Sequence, residues 1–310
     1  MYDIIGDVHG HATALKALLS ALDYSPDLEG VWRHPERRVI FVGDLIDRGH
    51  EHRELLELVR KMTEAGVARV VMGNHELNAI AYATPDPRES GHFLRKHEKN
   101  RTNQHIAYLK EIGEGSPLHK EHIEWFKTFP LWIEEPDFKV VHACWRAAEV
   151  ERVRAELNPD ATFSDELLKD PIMKGLFDKG TQLFKDVEIL LKGVEVTLPN
   201  GITFSTGHKS PSSNPKKLYK RDEARIKWWK QGHKTWCEAV LIPSMPPELT
   251  GLLLTDEASA EMYYYDGKAP IFFGHYWMDG TPTLCAPNAI CVDWSIGIED
   301  DTRGVLAAYR

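Results

Sequence analysis

The sequence predicts an α/β protein whose sheet strands are buried on both faces. Short runs of unbroken apolar and β-branched residues recur along the chain, as strands covered on both sides require. The first three runs each lead into a glycine-bounded polar turn, followed by apolar residues at helical spacing. Composition is ordinary for a globular chain, 42% hydrophobic and 27% charged over 310 residues. That length suits about two domains or one large α/β domain.

The elements follow in order. Asp3-Ile4-Ile5 reads as a strand, Gly6 to Gly10 as a turn, and Ala14, Leu15, Leu18, Leu19 and Leu22 as one face of a helix. Val39 to Val42 is a second strand, turning at Gly43 to Gly49 before a helix marked by Leu55, Leu56, Leu58, Val59 and Met62. Arg69 to Met72 is a third, leading through Gly73-Asn74-His75-Glu76 to another helix. The polar stretch from Tyr82 to Pro117 reads as an excursion off the core. Phe138 to His142 is again a strand. A helical stretch over 162–191, a hairpin at Pro199-Asn200-Gly201 and a basic run follow. Core strands resume at Glu238 to Ile242, Ile271 to Phe273 and Ala289 to Trp294, and Val305 to Tyr309 closes a sheet. No repeat or linker separates two units, so one core with an insertion is expected.

Lys plus Arg number 38 and Asp plus Glu 47, a formal net charge of −9. That balance argues against a general nucleic-acid or membrane-surface binder, which needs basic patches. No stretch approaches the length of a membrane span. The N-terminus has neither a basic n-region nor a long apolar h-region, so the expected location is cytoplasmic. Cys144, Cys237, Cys285 and Cys291 form no CxxC pair and are expected to be reduced.

Polar clusters stand where apolar strands end, which is where α/β sheets place ligand sites. They are Asp7-Val8-His9, Asp44-Leu45-Ile46-Asp47-Arg48, Asn74-His75-Glu76 and the two single histidines His142 and His275. Carboxylates, imidazoles and an amide oxygen suit a divalent cation such as Mn, Fe or Zn. Any one cluster has a plainer account, since an aspartate after glycine often caps a helix. Three successive loops of one pattern, followed by two strands ending in histidine, are not explained that way.

Gly6-Asp7-Val8-His9-Gly10, Gly43-Asp44-Leu45-Ile46-Asp47-Arg48-Gly49 and Gly73-Asn74-His75-Glu76 resemble the three signature blocks of calcineurin-like metallophosphoesterases. Asp47-Arg48-Gly49 narrows the resemblance to the phosphoprotein-phosphatase type. The nearest bacterial members are serine/threonine phosphatases and symmetrical diadenosine tetraphosphatases. Val140 to Ala143, Phe273 to His275 and Val292-Asp293 resemble the later blocks. The resemblance implies a four-layer sandwich, two mixed β-sheets flanked by helices, as one domain over 1–310 with an insertion or lid at 145–235.

It further implies two divalent metal ions, manganese foremost, with iron or zinc as alternatives. Asp7 and His9 would hold the first, Asp44 would bridge, and Asn74, His142 and His275 would complete the second. A metal-bound hydroxide would attack phosphorus in line. His75 would protonate the leaving oxygen with Asp47 orienting its ring, and Arg48 would bind phosphate oxygens. A second phosphate-binding arginine is expected from Arg146, Arg221 or Arg225, with Arg225 preferred. The fourth block departs from the family by reading His142-Ala143-Cys144-Trp145, which would set a bulky Trp145 at the cleft edge.

The expected substrate is a phosphorylated small molecule, a nucleotide such as a dinucleoside polyphosphate, or a phosphoprotein. Lys209, Lys216, Lys217, Lys220 and Arg221, with Tyr219, Trp228, Trp229 and Trp236, would suit stacking a nucleobase and screening a polyphosphate. His208 is a further candidate contact. The other readings are a non-catalytic interaction module on the same scaffold and a nuclease of the wider group.

Overall fold

The computed structural model describes residues 1–172, 174–206, 219–297 and 304–310. His208, Lys209, Lys216 and Lys217 lie outside the described residues. Eight strands form two four-stranded sheets: β1 (Tyr2–Ile5), β2 (Arg38–Phe41), β3 (Ala68–Val70), β4 (Trp132–Glu134), β5 (Lys139–Val141), β6 (Ile271–Phe273), β7 (Ala289–Cys291) and β8 (Ala308–Tyr309). The first sheet runs β8-β1-β2-β3 and the second β7-β6-β5-β4. In each, three parallel strands carry one antiparallel strand at an edge.

Side chains alternate along a strand, and that alternation builds the layers. Ile4, Ile40, Val42 and Val71 from the first sheet form one apolar cluster with Ile133, Val140, Phe272, Ile290 and Val292 from the second. The pairing keeps these residues in rows, Ile4 opposite Ile40 and Val140 opposite Phe272. The alternate residues Ile5, Val39, Phe41 and Val70 belong instead to the cluster of Leu15, Leu19, Leu55, Val59 and Ile80. Those apolar residues come from the helices α1 (Ala12–Ala21), α2 (His52–Glu64) and α3 (Asn74–Ala83). The result is the four-layer arrangement, with helices outside both sheets. Each fully buried aliphatic side chain in it contributes about 1.5–3 kcal/mol.

Several expectations are corrected. The stretch from Tyr82 to Pro117 is not off the core: it holds α4 (Lys99–Ile112), whose Tyr108, Leu109 and Ile112 are buried. The next helix, α5 (Pro117–Phe126), packs against α3 and α4. The helical stretch over 162–191 is two separate helices, Asp165–Lys169 and Gln182–Lys192, because Gly175 takes a left-handed φ of 85° between them. No hairpin forms at Pro199-Asn200-Gly201. Glu195–Thr197 pairs with Glu223–Ile226, whereas Phe204–Thr206 pairs with Tyr219–Arg221. Glu238 to Ile242 is a turn of helix ending at Ala239 followed by the strand Val240–Leu241, outside both main sheets. No described helix is long and apolar enough to cross a membrane.

Candidate metal centre and active site

The C-terminal ends of β1, β2, β3, β5 and β6 carry the polar loops, and hydrogen bonds lock those loops together. The N–H groups of Val8 and His9 both donate to the Asp44 carbonyl, at 3.1 and 2.9 Å. Glu76, fully buried in the first turn of α3, reaches back as an N3 glutamate and accepts from Gly73 N at 3.1 Å. The same carboxylate accepts from Asp44 N and Leu45 N, both at 2.9 Å. His75 N donates to Asp44 Oδ1 at 3.0 Å, and His275 N to Asp7 Oδ2 at 3.0 Å.

This convergence explains two of the glycines. A Cβ on Gly73 would lie 2.3 Å from Asp44 N, and one on Gly274 would lie 2.0 Å from Asp7 Oδ1. Backbone strain collects in the same place. His9, Asp44, Asp47, Arg48, His275 and Trp277 all adopt positive φ, between 46° and 73°. Such conformations cost on the order of 1–3 kcal/mol each and persist where the surroundings hold them.

The side chains face inward around Asp44. His142 Nδ1 donates to the Val42 carbonyl at 2.7 Å, which leaves Nε2 turned toward Asn74 Oδ1 at 3.1 Å and Asp44 Oδ2 at 3.3 Å. His9 does the same: Nδ1 donates to Ile46 O at 2.8 Å, and Nε2 stands 3.7 Å from Asp44 Oδ2. One ligand atom each from His9, Asp44 and His75, and likewise from Asp44, His142 and His275, lie within 4.8 Å of one another. Asp7 Oδ1, His9 Nε2 and both ring nitrogens of His275 are buried without a hydrogen-bond partner among the described residues.

Charge follows burial and neighbours. Burial, then Asp293 and Asp44, push the Asp7 carboxyl well above its ordinary range. Burial and Asp44 raise Glu76 to about 7. Burial also works against the Asp44 carboxylate, yet His142, His75 and His9 outweigh it and hold Asp44 well below that range. Burial and the nearby His75 lower His9 to about 3, while burial, Arg225 and His142 pull His275 down. His142 shifts the other way: burial works against its charge, but Asp44 and the Val42 carbonyl outweigh it and raise its pKa. Buried carboxylate and imidazole atoms left unpartnered around one carboxylate are what a divalent cation satisfies, so the residues present fit one.

Beside this cluster, His75 Nδ1 donates to Asp47 Oδ2 at 2.5 Å, leaving Nε2 3.9 Å from Asp44 Oδ2. Burial opposes the Asp47 charge, but His105 and then His75 outweigh it and hold the carboxylate well below its ordinary range. The Arg48 guanidinium lies over the Trp277 ring at 4.5 Å. Arg225 Nη1 donates to the His275 carbonyl at 3.3 Å, bringing this guanidinium to the cluster. Arg146 pairs with Glu149 at 3.4 Å, and Glu195 takes Arg221 at 2.7 Å and also stands 3.8 Å from Arg225 Nε.

Two expectations about tryptophan are overturned. Trp145 is buried, edge-on to Trp132 and under the Lys139 ammonium, not at a cleft edge. Trp228, Trp229 and Trp236 are buried too, so they offer no face to a nucleobase. Trp228 packs on Phe273 and Trp229 on Tyr276, because the β6 strand needs an apolar cover. The sequence reading gave no role to Glu76, Trp277 or His105. For His105 a signal existed: it shares a helical face with Tyr108, Leu109 and Ile112.

The profile of the family described as calcineurin-like phosphoesterase matches residues 2–182. The chain is 29% identical over 169 residues to an asymmetrical bis(5'-nucleosyl)-tetraphosphatase of Bacillus velezensis, covering 53% of this chain and 64% of that protein. It is 31% identical over 140 residues to a symmetrical bis(5'-nucleosyl)-tetraphosphatase of Vibrio cholerae, covering 45% and 43%. The matches thus span about half the length of these curated relatives. A cold-active protein-tyrosine phosphatase structure from a psychrophilic Shewanella matches with a TM-score of 0.35 and 23% identity, over 57% of this chain and 54% of that one.

Proposed function

The chain belongs to the calcineurin-like phosphoesterase family, and from that premise we propose that it is a di-metal-dependent hydrolase of phosphate esters or phosphoanhydrides. The observation that carries the proposal is the ring of nitrogen and oxygen lone pairs about Asp44 Oδ2, with the His75–Asp47 pair at its rim. Asp7 and His9 would hold one cation, Asn74, His142 and His275 the other, and Asp44 both. Bound there, the pair would polarise a phosphoryl oxygen and acidify a water.

The chain's own groups account for the rest. The buried Asp47 fixes His75 with its proton on Nδ1 and makes Nε2 the atom that carries a proton to the leaving oxygen. His75 is the most accessible imidazole of the cluster, at 12% side-chain exposure against 0–2% for His9 and His142. That suits a group that meets substrate. Arg48 presents a planar fork for phosphate oxygens. Arg225, beside His275 and 3.8 Å from Glu195, would supply a second guanidinium, and since burial works against its charge a bound phosphate would help offset that cost.

For the substrate we infer a dinucleoside polyphosphate ahead of a phosphoprotein. The support is the naming of the relatives, since the buried tryptophans supply none. Manganese-loaded protein offered diadenosine tetraphosphate and a phosphoserine peptide separately, with Asp44→Asn as blank, tests this. Nucleotide products from the first with little phosphate from the second are expected. Two ADP would mean symmetrical cleavage, and ATP with AMP asymmetrical cleavage. Preferential release of phosphate from the peptide would overturn the substrate assignment.

A further inference from the structure

Asp47 is held between two histidines, and only one of them belongs to the signature blocks. Its Oδ2 accepts from His75 Nδ1 at 2.5 Å and its Oδ1 from His105 Nδ1 at 2.6 Å. His105 comes from α4, 58 residues away, and is 5% exposed, against 3% for Asp47. Tyr82 on α3 and Tyr108 on α4 enclose its ring, at centroid distances of 5.4 and 4.9 Å. The helix is tied down close by. Glu111, also on α4, accepts from the backbone N–H groups of His52 and Arg53, both at 2.8 Å, at the start of α2.

A carboxylate with one hydrogen-bonded oxygen can swing about its last torsion, whereas one gripped at both oxygens has a single orientation. Asp47 needs that grip, because it sits in a left-handed turn with φ of 71° followed by Arg48 at 73°. We propose that His105 is a positioning residue for the proton donor. By holding the far oxygen of Asp47, it fixes the ring angle of His75 and keeps Nδ1–H on Asp47, so that a second proton, carried on Nε2, points at the leaving oxygen. Among the described residues His105 is not one of the side chains that converge on Asp44. The inference rests on the proposed role of His75.

The test is a leaving-group series on the manganese-loaded full chain: phenyl, 4-nitrophenyl and 2,4-dinitrophenyl phosphate. His105→Phe keeps a ring and removes the donor. His105→Asn restores a donor where Nδ1 stood. If His105 acts through His75, His105→Phe lowers kcat for phenyl phosphate about 10- to 100-fold. It should change kcat for the dinitrophenyl ester less than about threefold and leave KM in place, because a good leaving group needs no proton. His105→Asn should recover most of the loss. The double variant with His75→Asn should be no slower than His75→Asn alone.

Equal losses across the three esters, additive losses in the double variant, or failure of His105→Asn to recover activity would each overturn the inference while leaving the His75 assignment standing. A His75→Asn variant whose loss is the same for all three esters would overturn that assignment, and this inference with it. Should His105→Phe not fold, His105→Gln, whose amide mimics Nε2 rather than Nδ1, replaces it with the same expectation.

Discussion

Around Asp44, the buried imidazoles of His9 and His142 turn Nε2 toward a carboxylate; around Tyr108, His105, His119 and His122 pack as rings against a phenol. Both regions are histidine-rich and buried, yet they are wired differently. In the first, backbone carbonyls of Ile46 and Val42 take the Nδ1 protons and free the opposite nitrogens. In the second, His119 Nδ1 accepts from Gly115 N at 3.1 Å, and His122 Nδ1 meets the Tyr108 hydroxyl at 3.2 Å. Burial pulls His122 down to about 4 and lowers His119, and neither ring makes an ion pair with a carboxylate among the described residues. Histidine density alone therefore does not mark a candidate metal centre; convergence of ligand atoms on a buried carboxylate does. His105 joins the two regions through Asp47.

The contrast can be broken most severely at its centre. Asp44→Asn should reduce turnover on the order of 10³-fold and lower bound metal, measured by product assay and elemental analysis. Turnover near the wild-type rate would remove the bridging role. Glu76→Gln comes next, because a single amide oxygen cannot accept all the N–H groups that Glu76 now serves. Metal affinity should fall about 10- to 100-fold, as for other groups that orient ligands. Titration of the apo protein with manganese reads this, and unchanged affinity would contradict it.

Arg225→Ala should weaken inhibition by inorganic phosphate about tenfold or more, the worth of one charged hydrogen bond, without lowering metal content. Loss of metal instead would recast Arg225 as a support for His275. The smallest effect is expected in the helical flank. His122→Gln should leave metal content and turnover within about twofold, since surroundings without convergent acceptors hold no ion.

That flank should instead show itself in the pH dependence of the apo protein's stability. The folded pKa of His122, about 4, lies below its ordinary value of 6.5, so the unfolded chain takes up the proton first. The stabilisation is full above 6.5 and is lost as pH falls toward 4. Thermal unfolding followed from pH 7.5 to 5 should show a shallower decline for His122→Gln than for the parent. Equal slopes would contradict this.

The unequal legibility of the two regions has a physical cause. The loops after β1, β2 and β3 carry their polar residues within a few positions of one another, because a strand end can aim several side chains at one point. The glycines that make this approach possible, such as Gly73, are themselves visible in the sequence. His142 and His275 are single residues, but each closes an apolar strand. For His105 the helical face showed burial but not its partner: it meets Asp47 because α4 packs beside α2, a tertiary fact. The tryptophans misled for a related reason. Trp145, Trp228 and Trp229 lie next to basic residues in sequence, while their rings turn inward to cover the strands. Over 162–206, apolar spacing does not reveal that Gly175 breaks the helix or that the short strands pair with Tyr219–Arg221 and Glu223–Ile226.

Whether Asp44 lies between two cation sites is read by metal stoichiometry. Apo protein reconstituted with manganese, freed of excess and analysed for metal per chain, should hold two ions. Asp44→Asn treated alongside should hold fewer. Two ions in the parent that fall in the variant is the predicted result. A parent that binds none, or a variant that retains both, would contradict the account.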